Sequence, residues 1–481
     1  MGSIGMSEPA SGAVAAGPTA SPRPTAQKRV FNLAWPVIGE SFLETMLMVV
    51  DTWMVAQLST AAIAGVGTSV QVLFFIIAAL GALSVGSSVL VAQAYGAGKL
   101  VEAARLARQS IVWSVILSLP LALVGFFLEG PVIGLFGVEA DVARIGKEYL
   151  QVTIATVVVL IVLMIGGGAL RGLGDSQTPM RVTALANFVN VFLTYGLIFG
   201  VAGLPGLGAV GSAWGTFLSR LLAAILLLIV MWRGRQGVSI SGRINNWLPE
   251  ISVANSVLRI GVPAALEQLL TSAAFTSMTA IVASLGTAAL ASHRIAFNVL
   301  SLSFLPGFGF AIAATALVGQ SVGAREPKEG AEAASIATRW AVVWMAVMGA
   351  VSYFLAEPIL RLFSQDPAVV SDGVDAIRVV ALAQPFWAIL FVQSGALRGM
   401  GNTSFPLRAN TGGIWATMII AWVAVNYFDG GITRVWGVFL ITSPVMAVIL
   451  WKRFSRAVRE WSDQVEGEPH QIGQTEAAVS Q

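Results

Sequence analysis

The chain has 481 residues, 28 Lys and Arg against 25 Asp and Glu, no Cys and two His; 56% of it is hydrophobic and only 11% is charged. A soluble domain carries roughly 25% charged residues, so this composition excludes an ordinary cytosolic enzyme and a disordered chain. The lack of Cys excludes disulfides, thiol catalysis and Cys-held metals, the net charge of +3 gives no reason to expect nucleic acid, and a multi-pass membrane protein remains.

Residues 1–29 are rich in Gly, Ala, Ser, Pro and Thr. They lack the apolar stretch of a signal peptide and are expected to form a disordered tail. From there on the chain is a succession of uncharged runs, among them 52–98, 109–128, 149–170 and 182–219. A helix needs roughly 20 apolar residues to cross a bilayer core. Cut at Gly and Pro turn signals, the runs predict twelve helices near 31–57, 64–92, 108–129, 148–170, 181–200, 208–232, 256–284, 290–318, 335–356, 376–397, 406–427 and 433–452. A basic loop, 233–255, separates two groups of six, and 456–481 reads as a polar, mobile tail. An even number of spans puts both termini on one face. That face carries 21 of the Lys and Arg residues and the other face 5. Loops rich in Lys and Arg stay in the cytoplasm, so the expectation is a plasma (inner) membrane protein with cytoplasmic termini.

The chain also repeats itself. Residues 168–181, GALRGLGDSQTPMR, match 395–408, GALRGMGNTSFPLR, at 8 of 14 positions. The offset of 227 also aligns Gln93, Gly96 and Ala97 with Gln320, Gly323 and Ala324, and Pro36 and Glu40 with Pro263 and Glu267. The fold expected is therefore all-α, with two pseudo-symmetric six-helix lobes, 30–232 and 256–455. Six is even, so the lobes enter the membrane alike and are related by an axis along its normal.

Ionisable groups inside a span are costly and mark functional candidates. The first span holds Glu40, Glu44 and Asp51 on one face, within about 40° of Glu40. The fifth holds Thr183, Asn187, Asn190 and Thr194, within about 60° of one another. Such a stripe serves either as hydrogen-bonding glue between helices or as oxygen ligands for a hard cation, to which Thr216 would add another oxygen. In the seventh span Glu267 and Gln268 follow Pro263, Thr271 stands opposite Glu44, and Met278 stands where Asp51 would be. The carboxylate stripe is thus confined to the first half. Glu40, Asn187, Glu267, Gln268, Thr271 and Met48 are candidates for lining a substrate cleft, Met because it suits irregular apolar ligands; Glu267 equally fits a structural cap. No GxxxxGK[ST] phosphate loop occurs, and neither an ATP-driven pump nor an enzyme is expected.

The segment 291–310, ASHRIAFNVLSLSFLPGFGF, running on into Val318–Ala324, together with the paired GALRG segments and the stretch Pro36…Asp51, resembles the multidrug and toxic compound extrusion (MATE) family over about 30–455. The resemblance implies a V-shaped twelve-helix antiporter that exports organic cations, drugs or metabolites against proton or sodium entry. It also implies roles: Asp51 matches the family's first-helix acid, Asn190 its fifth-helix asparagine and Thr216 its sixth-helix threonine. Many members carry an aspartate where this chain has Thr194. That departure leaves open both proton coupling at Asp51 and a sodium site at Asp51, Asn190 and Thr216, with Thr194 and Glu44 completing the candidate cation-coupling set. No cofactor beyond the coupling ion is implied. The partners implied are a cationic or amphipathic small molecule and membrane lipids, with the chain a monomer. A lipid-linked oligosaccharide flippase of the same superfamily is the alternative; it calls for a basic cavity, and only Arg220 and Arg294 offer one.

Overall fold

The computed structural model describes residues 24–134, 136–201, 203–428 and 430–479. They form thirteen α-helices: α1 Ala26–Ala56, α2 Thr60–Gly96, α3 Leu100–Gly134, α4 Ala140–Gly172, α5 Gln177–Phe199, α6 Ala209–Arg233, α7 Ile251–Ala283, α8 Thr287–Ala324, α9 Pro327–Phe354, α10 Ala356–Phe363, α11 Pro367–Gly399, α12 Ser404–Tyr427 and α13 Ile432–Val479. No strand forms among the described residues; the one bridge, Arg235 to Val238, sits in the loop after α6. Nine helices are long and apolar enough to cross a membrane among the described residues.

Local chemistry sets the ends. The Ser59 hydroxyl accepts from the Ala62 amide at 3.0 Å and starts α2. Asp366 accepts from Ala368 at 2.9 Å ahead of Pro367 at the first turn of α11; both are N-caps that satisfy otherwise free amides. Gly200, at φ 72°, ends α5 in the left-handed region.

Helices outrun the apolar runs that announced them. α2 continues to Gly96, α8 to Ala324 and α13 to Val479, the last through residues expected to be a polar tail. Hydropathy reports only the part of a helix that lies in hydrocarbon, whereas backbone bonding is independent of side-chain polarity and continues beyond it; α13 runs on even through Gly467 and Pro469. For the same reason 26–29 are helical rather than part of a disordered tail, and the inter-lobe loop narrows to 234–250, with a 3₁₀ turn at Ile244–Trp247. Residues 1–23 of the expected tail lie outside the described residues. The short helix α10 was not anticipated.

Two apolar cores account for most of the buried side chains. One gathers α2 to α6 and the other α7 to α13, but each takes in the start of the opposite half's first helix. Val30, Leu33 and Ala34 of α1 pack in the second core, and Val253 and Val257 of α7 pack in the first. Val30 and Val257 are 227 residues apart, so the exchange obeys the sequence repeat. Arg29 of α1 pairs with Glu329 of α9 at 2.7 Å, and Gly330 lies against the ring of Trp461 in α13. Both chain ends therefore leave from one face, here called the terminal face.

At that face the halves are clasped. Gln93 of α2 donates its side-chain amide to the Gly399 carbonyl at 3.0 Å, and Gln320 of α8 donates to the Gly172 carbonyl at 2.8 Å. Between them α2 and α8 cross at Gly96 and Gly323. A Cβ on Gly96 would overlap the Gln320 carbonyl, and one on Gly323 the Gln93 carbonyl, so the crossing requires glycine. A cavity of about 650 Å³, lined by Arg29, Tyr95, Gln320 and Glu329 among others, opens on the terminal side of the clasp.

Candidate functional site

The polar stripe of α5 divides between two partners. Its first turns face α1: Thr183 Oγ1 donates to Glu40 Oε1 at 3.3 Å, and Asn187 Nδ2 donates to the Leu43 carbonyl at 2.9 Å. Its later turns face α6: Asn190 Nδ2 donates to Thr216 Oγ1 at 3.3 Å and to Ser219 Oγ at 3.1 Å, while Thr194 Oγ1 donates to Asn190 Oδ1 at 3.2 Å. Ser219 Oγ in turn donates to the Thr216 carbonyl at 3.0 Å. All four side chains are buried. Gly215 makes the approach of α5 and α6 possible, since a Cβ there would lie 2.8 Å from Thr194 Cα. Ser219 was not singled out from sequence, although it stands one turn from Thr216.

Glu40 is also ion-paired. Arg171 Nη2 of α4 lies 3.4 Å from its carboxylate. The equivalent group in the second half is tighter: Arg398 Nη2 lies 2.7 Å and Asn410 Nδ2 2.6 Å from Glu267 Oε1, and Asn410 also donates to Ser394 Oγ at 2.9 Å. Glu40, Arg171 and Thr183 thus correspond to Glu267, Arg398 and Asn410 at one offset. The two arginines were missed from sequence, yet the signal was there: acid and arginine recur together in the repeat. Glu267 is 6% exposed, and its Oε2 is buried with no hydrogen-bond partner.

Asp51 stands apart. It is half-buried, its Oδ1 is buried without a hydrogen-bond partner, and no hydrogen bond among the described residues joins it to Asn190, Thr194 or Thr216. Glu44 is exposed. Arg220 of α6 is the cation whose charge acts on both Glu44 and Asp51; Glu40 and Arg171 act on Glu44 as well. In the second half the equivalent positions are neutral. Met278, which replaces Asp51, is fully buried in the core; Ala447 replaces Arg220; and Thr417, in place of Asn190, makes a single side-chain pair with Thr442 at 2.9 Å. Among the remaining cleft candidates, Met48 and Gln268 are exposed and Thr271 is half-buried. No group of three or more His, Asp or Glu gathers to hold a metal among the described residues.

The MatE family profile matches residues 36–196 and 263–423. The chain belongs to the MatE family. The two matched stretches begin 227 residues apart, the offset of the repeat. A probable multidrug resistance protein NorM of Thermotoga maritima is 33% identical over 86% of this chain and 89% of its own length. The multidrug resistance protein NorM of Burkholderia vietnamiensis is 29% identical over 88% and 92%. Among solved structures, one described as the outward-facing conformation of a multidrug resistance MATE family transporter of the MOP superfamily superposes with a TM-score of 0.84 at 23% identity, covering 91% of this chain and 97% of that one. A MOP superfamily transporter from Pyrococcus furiosus, described as having a binding pocket of reverse polarity, also scores 0.84 at 22% identity, over 91% and 97%. These likenesses show the fold. Family membership and the apolar helices make this MatE chain an integral, multi-pass membrane protein.

Proposed function

We propose that the chain is a secondary antiporter that exports cationic or amphipathic drugs or metabolites in exchange for a coupling ion, by alternating access between two six-helix lobes arranged as a V. The observation that carries this proposal is the charge asymmetry of a symmetric scaffold. Two equivalent halves share the Glu–Arg pair, but only the first adds Glu44 and an Asp51 with a buried, unpartnered oxygen. An ionic oxygen left so is stabilised by taking up a proton or a cation. If ion and substrate compete for that carboxylate, alternating access turns their competition into exchange.

The cross-half hydrogen bonds of Gln93 and Gln320 and the cross-half ion pair of Arg29 with Glu329 lie at the terminal face. With the termini cytoplasmic in the plasma membrane, the structure is closed inward, and the cavity lined by Arg29 and Tyr95 is the inner vestibule. The names of the NorM relatives favour small-molecule efflux over lipid flipping. So does the charge of the wall: three carboxylates, Glu40, Glu44 and Asp51, stand against two cations, Arg171, which is paired to Glu40 and also acts on Glu44, and Arg220, a poor cradle for an anionic head group.

The coupling ion proposed is the proton. Asn190, Thr194, Thr216 and Ser219 spend their hydrogen bonds on one another, and no second carboxylate stands among them. That set fits a sodium cage poorly, whereas a single carboxylate suffices to carry a proton. Efflux from proteoliposomes under an imposed proton or sodium gradient, each alone, tests this. Asp51→Asn is expected to abolish gradient-driven efflux at normal insertion; full transport by that variant would overturn the proposal.

A further inference from the structure

Beyond the membrane span, α13 keeps a fixed rotation. Phe454 and Ala457 are buried against the body, and the ring of Trp461 packs on Gly330. Arg453 is turned aside, its guanidinium 5.9 Å over the Phe405 ring and 3.2 Å from Glu460. These anchors leave one face of the helix outward. At 100° per residue, Lys452, Arg456 and Arg459 fall within about 60° of one another and roughly opposite Phe454 and Trp461. All three are exposed, and none has an ion-pair partner among the described residues.

The stripe starts where the apolar part of the helix ends. Val435–Trp451 carries no charge, and Trp451, 47% exposed, sits at its last position, as aromatic side chains do at the level of lipid head groups. Along the same stripe the next residues are Asp463 and Glu466, both exposed. The sign of the charge therefore reverses about 6 Å beyond Arg459, and the two acids lie about 18–22 Å along the helix from Trp451, more than two Debye lengths at physiological salt. On α12, Arg408 is exposed one turn from Phe405, the ring that Arg453 covers.

We propose that Lys452, Arg456 and Arg459, with Arg408 beside them, form a site for anionic phospholipid head groups that fixes α13 of the second half to its own leaflet. The occupant follows from the geometry. The cations lie within the first turns outside the hydrocarbon, where a head-group phosphate is already present. The acids lie beyond it, where an anionic surface would repel them if they were closer. A soluble anionic protein would meet Asp463 and Glu466 first. Each Lys or Arg near an anionic surface strengthens binding about fivefold.

The test uses the full-length protein in nanodiscs of phosphatidylcholine with a rising fraction of phosphatidylglycerol, reading melting temperature and, by native mass spectrometry, the phosphatidylglycerol molecules retained. The wild type is expected to gain stability with phosphatidylglycerol and to retain it on ejection. The triple variant K452Q/R456Q/R459Q is expected to retain it at least tenfold less, and K452R/R456K/R459K to behave as wild type, which separates loss of charge from a folding defect. D463N/E466Q is expected to keep the preference. Inorganic phosphate in pure phosphatidylcholine is expected to change nothing. Equal phosphatidylglycerol retention by wild type and the Gln triple variant would overturn the proposal, as would equal stabilisation by free phosphate.

Discussion

Gln93 and Gln320 occupy equivalent places in the repeat, and each reaches across to the other half, Gln93 to the Gly399 carbonyl at 3.0 Å and Gln320 to the Gly172 carbonyl at 2.8 Å. The two acceptors are equivalent as well. A reciprocal pair of this kind closes the terminal face without any side chain pairing with its own counterpart, and both bonds must break for the face to open. At about 1 kcal/mol each, Gln93→Ala with Gln320→Ala is expected to lower the closed-to-open ratio roughly 30-fold. Gly96→Val is expected to wedge the face apart, because its Cβ would overlap the Gln320 carbonyl. Electron-spin distances between labels on Leu100 and Lys328, both exposed at this face, would lengthen in each variant; an unchanged distribution in Gly96→Val would refute the clasp.

The α5–α6 network makes a graded prediction about stability. Ser219→Ala leaves Asn190 Nδ2 its bond to Thr216, so the loss is expected to be about 1 kcal/mol. Asn190→Leu strands the buried hydroxyls of Thr194 and Thr216 and overfills a site that Gly215 keeps narrow; about 2–4 kcal/mol is expected. Thermal unfolding in detergent, monitored by light scattering, ranks the two. A milder effect for Asn190→Leu than for Ser219→Ala would contradict the geometry.

Glu250, just ahead of α7, receives Arg105 Nε at 3.1 and 3.0 Å on its two oxygens. Those hydrogen bonds hold its carboxyl below the usual value of 4.5, partly opposed by desolvation. A depressed folded pKa contributes stability that is complete above the unfolded value and is lost as pH falls through the folded one. Wild type is therefore expected to exceed Glu250→Gln in melting temperature at neutral pH, with the gap closing only below about pH 4.5. Both partners are more than a third exposed, so the gap corresponds to no more than about 1 kcal/mol. Melting curves of both proteins across that range check the sign; a gap that widens on acidification would reverse it.

The architecture was legible in sequence because its signals are repetitive. Charge-free runs mark the spans, and the offset of 227 pairs Glu40 with Glu267 in both sequence and structure. What was not legible depends on crossing geometry. Val30 and Val257 look like any apolar residue, and nothing local says that each packs in the opposite half's core. Thr183, Asn187, Asn190 and Thr194 share one helical face, yet α1 takes the first two and α6 the last two, a division set by the angle at which α5 meets its neighbours. Arg171 and Arg398 read as loop cations because hydropathy ends a span where the backbone does not; they are the last-turn residues of α4 and α11, placed to reach the acids of α1 and α7.

Thr194 decides the coupling ion in the scheme proposed above. Its hydroxyl is committed to Asn190 Oδ1 at 3.2 Å, and Asn190 is committed to Thr216 and Ser219. A carboxylate at this position would give Asn190 Nδ2 a charged acceptor and place a second negative group on the lobe that carries Asp51. Two carboxylates with neutral oxygens make a hard-cation site; one makes a proton carrier. Thr194→Asp is therefore expected to convert efflux that ignores sodium into efflux that rises with it. Wild-type efflux in sodium-free buffer is expected to collapse on addition of a protonophore. Space is the constraint, because Gly215 stands against Thr194, so Thr194→Asn, nearly isosteric with Asp and uncharged, is the control for packing. If Thr194→Asn acquires the same sodium dependence as Thr194→Asp, the added charge is not the cause. If wild-type efflux needs sodium and survives the protonophore, Thr194 is a neutral ligand in a working sodium site and the proton assignment fails.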